Sequence, residues 1–262
     1  MMWSTFGRLQ YTLYGGDVMT KLFCISDVHG FYDEMIKALN DAGFEPDNPN
    51  HLLIGLGDYI DRGRKPLEVV RYLNNLPYKV LIRGNHEDLF LDCCDRGDPY
   101  SYDVSNGTVQ TINDICHNEY DYFPEACDYA KKRLSRFINS TINYFETENY
   151  IFCHSWIPLI IKDGLPMYYL KNRKLEFNPS WRNATDKEWR DAAWGNPFDL
   201  AEKGFLPDKT IVFGHWGAYY KWQEKGKNSF NPYGGDGYIG IDATTAISGK
   251  VNCLVLEDEL LW

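Results

Sequence analysis

The sequence predicts an α/β fold built on a parallel sheet. Apolar runs of strand length recur along the chain, amphipathic helical stretches separate the first three, and each early run ends abruptly in polar residues. Leu22-Phe23-Cys24-Ile25-Ser26 reads as a buried strand. Phe31–Ala42 places Met35, Ile36 and Leu39 at helical spacing and stops at Gly43, a C-cap. His51–Leu56 is the second strand. Pro66 opens a helix in which Leu67, Val70 and Leu73 recur until Pro77. Lys79-Val80-Leu81-Ile82 is the third strand, and a helix follows from about Glu87 to Asp92.

From Asp95 to Arg136 the chain turns polar, with weak helical periodicity at Val109, Ile112 and Ile115 and again at Ala130, Leu134 and Phe137. This reads as a helical insertion over about residues 95–140, too poor in apolar residues for a core of its own. Thr141–Glu146 and Tyr150–Cys153 form a hairpin across Thr147-Glu148-Asn149. Residues 156–208 read as loop, punctuated by Pro158, Pro166, Pro179, Pro197 and Pro207. Strands return at Thr210–Phe213, Tyr238–Ile241 and Val251–Leu256.

With 44% apolar and 24% charged residues among 262, the composition is that of a soluble globular domain able to bury a full core. Its 37 acidic against 27 basic residues give a formal charge of −10, which repels phosphate backbones at long range; no stable nucleic-acid binding is expected. A small phosphorylated substrate needs only a local positive pocket. No apolar run approaches the roughly 18 residues of a membrane helix. The seven cysteines are odd in number and include no Cys-x-x-Cys pair, so reduced thiols and a cytoplasmic location are expected.

Residues 1–18 lack the basic and apolar blocks of a signal peptide. Gly15-Gly16-Asp17 can be encoded by a purine-rich stretch resembling a bacterial ribosome-binding site before Met19. The leader is therefore expected to be non-native, the alternative being an arm that packs Trp3, Phe6 and Tyr11 on the body. Residues 19–262 then form one domain.

Function enters through the strand ends. The first strand runs into Asp27-Val28-His29-Gly30, the second into Gly57-Asp58-Tyr59-Ile60-Asp61-Arg62-Gly63, the third into Arg83-Gly84-Asn85-His86-Glu87. The strand at 150–153 ends in His154, and that at 210–213 in Gly214-His215. Carboxyl ends of parallel strands form the ligand crevice of an open α/β sheet. A single Asp there is commonly a helix cap, and a single His commonly a core residue. Five coincident strand ends favour a joint site, whereas His51 and His117 lie outside it. Asp, His and Asn without thiolate suit manganese, iron or zinc. A carboxylate with two oxygens, Asp58, can bridge a cation pair of the kind that clamps in-line phosphoryl displacement.

These motifs, in this order and spacing, resemble the phosphoprotein phosphatase branch of the calcineurin-like metallophosphoesterases. They are similar in particular to the compact bacterial and phage-type serine/threonine phosphatases and to symmetrical diadenosine tetraphosphatases. The resemblance covers roughly residues 20–257; Ile241-Asp242-Ala243-Thr244-Thr245-Ala246 looks like a variant of their C-terminal Asp-Thr-Gly segment. It implies an α/β sandwich of two mixed sheets flanked by helices. It implies two divalent metal ions, most suitably manganese: Asp27 and His29 on the first, Asp58 bridging, and Asn85, His154 and His215 on the second. Arg62 would grip the phosphoryl group, His86 would be the general acid, and Asp61 would hold its tautomer. The implied activity is phosphomonoester hydrolysis by a metal-bridging hydroxide, on phosphoserine or phosphothreonine proteins. Alternatives are a dinucleotide hydrolase, a phosphodiesterase and an inactive phosphate-binding regulator.

Three departures from that pattern stand out. Ser155-Trp156 follows His154 where relatives carry small residues, and a Trp there is expected to reshape the pocket mouth. Trp216 follows His215 where Thr is usual. The second phosphate-gripping Arg is missing at Trp194-Gly195-Asn196, leaving Arg182 or Arg190 as substitutes, with a solvated surface arginine as the alternative for each.

Overall fold

The computed structural model describes residues 20–162 and 174–260; the leader expected over residues 1–18 lies outside the described residues. The first sheet takes Thr20–Ile25 (β1), His51–Gly55 (β2) and Lys79–Leu81 (β3) in parallel, with Cys253–Asp258 (β11) antiparallel to β1. The helices between these strands, Tyr32–Asp41 (α1) and Pro66–Asn75 (α2), make the crossovers. Ile25 pairs with Gly55 and Gly55 with Leu81, so three strands end level and discharge their loops at one edge.

The second sheet has five strands, and Ile160–Ile161 (β6) and Leu175–Glu176 (β7) pair apart from it. Tyr144–Glu146 (β4) and Tyr150–Cys153 (β5) form the expected hairpin, and Thr210–Phe213 (β8) and Tyr238–Gly240 (β10) continue in parallel before antiparallel Tyr233–Gly235 (β9). An isolated bridge, Ile82 to Ile142, links the two sheets.

Strand alternation makes the layers. Leu22, Cys24, Leu52, Ile54, Phe152 and Val212 face inward and form one core between the sheets. Phe23, Ile25 and Leu53 face the opposite way, onto a helical layer. Ile151, Cys153, Ile211 and Phe213 do the same on the second sheet, against Trp156, Trp181, Trp189 and Phe198. Each such apolar side chain contributes about 1.5–3 kcal/mol when fully buried. The architecture is therefore the sandwich of two mixed sheets flanked by helices.

The insertion forms Ser101–Asn106 (α4), Thr108–Ile115 (α5) and Phe123–Ile138 (α6). Ile112, Ile115, Ala130, Leu134 and Phe137 join the core of α1 and α2, which is why the segment needs so few apolar residues of its own. Beyond shifts of one or two residues, three regions differ from expectation. The helix expected over Glu87–Asp92 runs Asn85–Arg96 (α3), starting after extended Gly84 and ending on left-handed Gly97. The last strand is shifted to Cys253–Asp258 because it pairs along all of β1. Within 156–208, Asp186–Ala192 (α7) and Pro197–Glu202 (α8) are helical, organised by their own aromatic cluster. Trp156 belongs to that cluster, 1% exposed with Nε1 donating to the Phe205 carbonyl at 3.3 Å, and with His154 and Ser155 it lines a small cavity.

Candidate metal centre

The level strand ends place the polar loops together. Asp27 N donates to Gly57 O (3.1 Å), His29 N to Asp58 O (2.8 Å) and Gly63 N to His29 O (2.7 Å), continuing the β1–β2 ladder into the loops. Asp27, His29, Asp58, Asp61, Arg62 and His215 all have left-handed backbone, six of nine such non-glycine residues described. Each costs about 1–2 kcal/mol, a strain that concentrates at sites where side chains must be aimed. Glu87, wholly buried, accepts from the backbone N–H of Asp58, Tyr59 and Gly84 at 2.9 Å each, tying the start of α3 to the β2 loop. Gly84 must lack a side chain there, since a Cβ would collide with Asp58 Oδ1.

Asp58 is the hinge of the arrangement. Its Oδ2 lies 3.7 Å from His29 Nε2 and 3.9 Å from His86 Nε2, while Oδ1 lies 3.5 Å from His154 Nε2. Two clusters of potential donor atoms result, His29/Asp58/His86 and Asp58/His154/His215, with the atoms in each within 4.8 Å of one another. Asp27 Oδ1 is 4.0 Å from His29 Nε2, and its Oδ2 accepts from His215 N at 2.9 Å. Asn85 Oδ1 lies 2.8 Å from His154 Nε2.

The imidazoles are held in the manner of metal ligands. His29 Nδ1 donates to Ile60 O (2.9 Å), His154 Nδ1 to Leu56 O (2.7 Å), and His215 to the Trp194 carbonyl. Such bonds fix the tautomer and leave Nε2 of His29 and His154 as a lone pair. For His154 that lone pair meets the Asn85 carbonyl oxygen, so two acceptors converge, a donor set that a cation satisfies. Burial pushes the Asp27 and Asp58 carboxyls up, with the charges of Asp242 and Glu87 adding respectively. Burial pushes the imidazoles of His29, His86 and His215 down. Neutral nitrogens and crowded carboxylates without enough positive charge fit divalent cations in chemistry and number of donors.

Beside the ligands stand the groups expected to act on substrate. His86 Nδ1 donates to Asp61 Oδ2 at 2.7 Å. Arg62, exposed at the rim, turns its fork inward, donating to His29 Nε2 (2.5 Å) and His86 Nε2 (3.0 Å). Burial raises Asp61 to about 7 in spite of the hydrogen bond from Thr108.

The two substitute arginines part company. Arg182 is bound bidentately by Glu146 (2.9 and 2.8 Å), bonded again to Asp208 (2.9 Å) and laid over the Trp181 ring, so it is placed in an ion-pair network and not with the histidines. Arg190 lines a small cavity with Arg83, Asp88, Ser155 and His154, on the flank of the centre. His51 packs on Phe23 and accepts from Glu45 N, a structural role.

Sequence reasoning assigned no role to Glu87, Asp242, Thr108 or Thr111. Burial raises Asp242, at the end of β10, to about 6. The threonines had a signal: they fall on the buried stripe of α5 with Ile112 and Ile115, where a hydroxyl demands a partner.

A family model for calcineurin-like phosphoesterases matches residues 20–240. The chain is 34% identical over 99 residues to serine/threonine-protein phosphatase 2 of Salmonella typhimurium, covering 38% of this chain and 44% of that protein. It is 36% identical over 86 residues to the Escherichia coli protein of the same name, covering 33% and 38%. The aligned stretch thus spans under half the length of these curated relatives. A solved structure of a candidate diadenosine tetraphosphatase superposes with a TM-score of 0.52 at 13% identity, over 94% of this chain and 96% of the other, a likeness of fold.

Proposed function

The chain belongs to the calcineurin-like phosphoesterase family, and from that premise we propose that it is a two-metal phosphomonoesterase acting on phosphoserine and phosphothreonine proteins. The observation that carries this reading is Asp58, whose two oxygens face two separate ligand sets while its own loop carries Asp61 and Arg62. Asp27, His29 and Asp58 would hold one divalent cation, and Asp58, Asn85, His154 and His215 the other. Manganese suits nitrogen and oxygen donors without thiolate. Such cations, when bound, neutralise phosphoryl charge and lower the pKa of a water.

The chain's own groups do the remainder. Arg62 at the rim swings its planar fork onto two phosphoryl oxygens, which a lysine would bind as a point charge only. Asp61 fixes the His86 ring through Nδ1, leaving Nε2 to deliver a proton to the departing serine oxygen. The name of the bacterial relatives supports protein substrates. A second reading, dinucleotide hydrolysis, is favoured by Trp194 and Trp216 on either side of His215, with Tyr220 beyond, rings on which a base could stack. A cytoplasmic setting fits the free cysteines, and no described helix is long and apolar enough to cross a membrane.

The test is a substrate panel with manganese: a phosphoserine peptide, diadenosine tetraphosphate and p-nitrophenyl phosphate. Chelation should abolish hydrolysis of peptide and aryl ester, and manganese should restore both. Undiminished activity in a sample shown metal-free by elemental analysis would overturn the reading. Hydrolysis of the dinucleotide alone would replace it with the second.

A further inference from the structure

We infer that Thr108 and Thr111, on the buried face of the insertion helix α5, are positioning residues that set the Asp61–His86 pair for proton delivery to the leaving group. The inference rests on the reading of His86 as that proton donor. It gives the insertion a part in the reaction.

Asp61 and Arg62 are consecutive residues with left-handed backbone, at φ 71° and 66°. The bonds that hold them come from the insertion. Thr108 Oγ1 donates to Asp61 Oδ2 at 2.7 Å, the same oxygen that receives His86 Nδ1 at 2.7 Å. Thr111 Oγ1 accepts from Asp61 N at 3.0 Å. One threonine thus orients the carboxylate and the other fixes the backbone that carries it. Gln110 Nε2 adds a bond to Arg62 O at 2.9 Å.

Helix building does not account for these hydroxyls. Both threonines are fully buried, and no side-chain bond caps the start of α5, so Thr108 spends its proton on Asp61 alone. A valine would suit the buried face better unless the hydroxyl were needed, since burying one without a partner costs about 1–3 kcal/mol on protein scales. Among the described residues, no side-chain hydrogen bond from the insertion reaches Asp27, His29, Asp58, Asn85, His154 or His215. The brace touches the proton donor's holder and the phosphate grip, and leaves the metal ligands alone.

This separation is what the experiment reads. Thr108→Val, Thr108→Ser, Thr111→Ala and His86→Asn are compared with the wild type in manganese content, melting temperature and kcat/KM. Two substrates are used: a phosphoserine peptide, whose leaving oxygen needs a proton, and p-nitrophenyl phosphate, whose leaving group departs unaided. General acids contribute typically ~10²–10⁴-fold. His86→Asn should therefore lower the peptide-to-aryl rate ratio by about that factor, and Thr108→Val by about 10-fold with both metals retained. Thr108→Ser keeps the hydroxyl and should restore the ratio even if it melts earlier.

An unchanged ratio in Thr108→Val, beside a fallen ratio in His86→Asn, overturns the inference and leaves the function standing. An unchanged ratio in His86→Asn removes the proton-donor reading and the inference together. A ratio that falls as far in Thr108→Ser as in Thr108→Val assigns the effect to packing and also overturns it. Should Thr108→Val fail to fold, Thr111→Ala carries the same comparison, since it removes the acceptor for Asp61 N.

Discussion

The two sheets deliver unequal halves of the centre. The first sheet sends three level, adjoining strands into three short motifs, so Asp27, His29, Asp58, Asn85 and His86 arrive within 60 residues of one another. That half also carries Arg62 and Asp61, and the insertion braces it from outside. The second sheet sends single histidines, His154 and His215, from β5 and β8, each held by a ring bond to a main-chain carbonyl. Its surroundings are aromatic: Trp194 packs edge-on to His215, and Trp216, 40% exposed, lies beside it. The proposed proton donor and phosphate grip thus come from one sheet, and an aromatic rim beside His215 from the other. Asp58 is the point where they meet.

The contrast has consequences of graded size. Asp58→Asn removes the charge that faces both ligand sets, so both manganese ions should weaken together and p-nitrophenyl phosphate hydrolysis should fall by at least ~10³-fold, beyond the 10–100-fold typical of an outer partner. His215→Ala touches only the second sheet and should lose mainly one equivalent of metal by elemental analysis. Loss of a single equivalent from Asp58→Asn would contradict its place between the sets.

Next comes Gly107, which joins α4 to α5 at φ 89°; a Cβ there would stand 2.5 Å from Arg62 N. Gly107→Ala should cost about 1–2 kcal/mol in chemical denaturation and raise KM through a displaced Arg62, with metal content intact. An unchanged KM would mean that Arg62 is positioned without the insertion.

The smallest effect concerns pH. Burial raises Asp61 to about 7, so in the metal-free protein the folded state binds this proton more tightly than the unfolded chain. Its contribution is fully present below about pH 4 and is lost as pH rises towards 7. Asp61→Asn lacks it. The melting temperature of the variant relative to wild type, both metal-free, should therefore improve as pH rises from 4 to 7. A difference that stays flat would place Asp61 in a less desolvated setting.

The same asymmetry explains what the sequence disclosed. The first sheet's half was legible because apolar runs of five residues stop at abrupt Asp, His and Asn motifs, and alternation along a strand is easy to read. The single histidines of the second sheet acquired their meaning from those motifs. Hidden were contacts formed across long separations: Thr108 reaches back 47 residues to Asp61, and its place on the apolar stripe of α5 indicates burial without naming the group it meets. The helices within 156–208 were hidden because prolines there open helices as well as interrupt them; Pro197 occupies the first turn of α8. Arg182 and Arg190 were alike as sequence, and only Glu146 and Asp208, far along the chain, separate them.

One feature of the fold bears on how the chain holds together. At one edge the sheets are joined by the isolated bridge from Ile82 to Ile142, just beyond which the chain delivers Asn85 on one side and β4 on the other; at the opposite edge Asp258 of β11 accepts from Thr147 and Asn149 in the turn between β4 and β5. Cations held as proposed, between Asp58 and the two histidines of the second sheet, would span the seam between these edges as a clasp. Ligand that binds only the closed form stabilises it by about 2.7 kcal/mol at a hundred times its dissociation constant. Separation of the sheets and escape of metal would then be one event, tying the mechanical integrity of the molecule to its supply of cations.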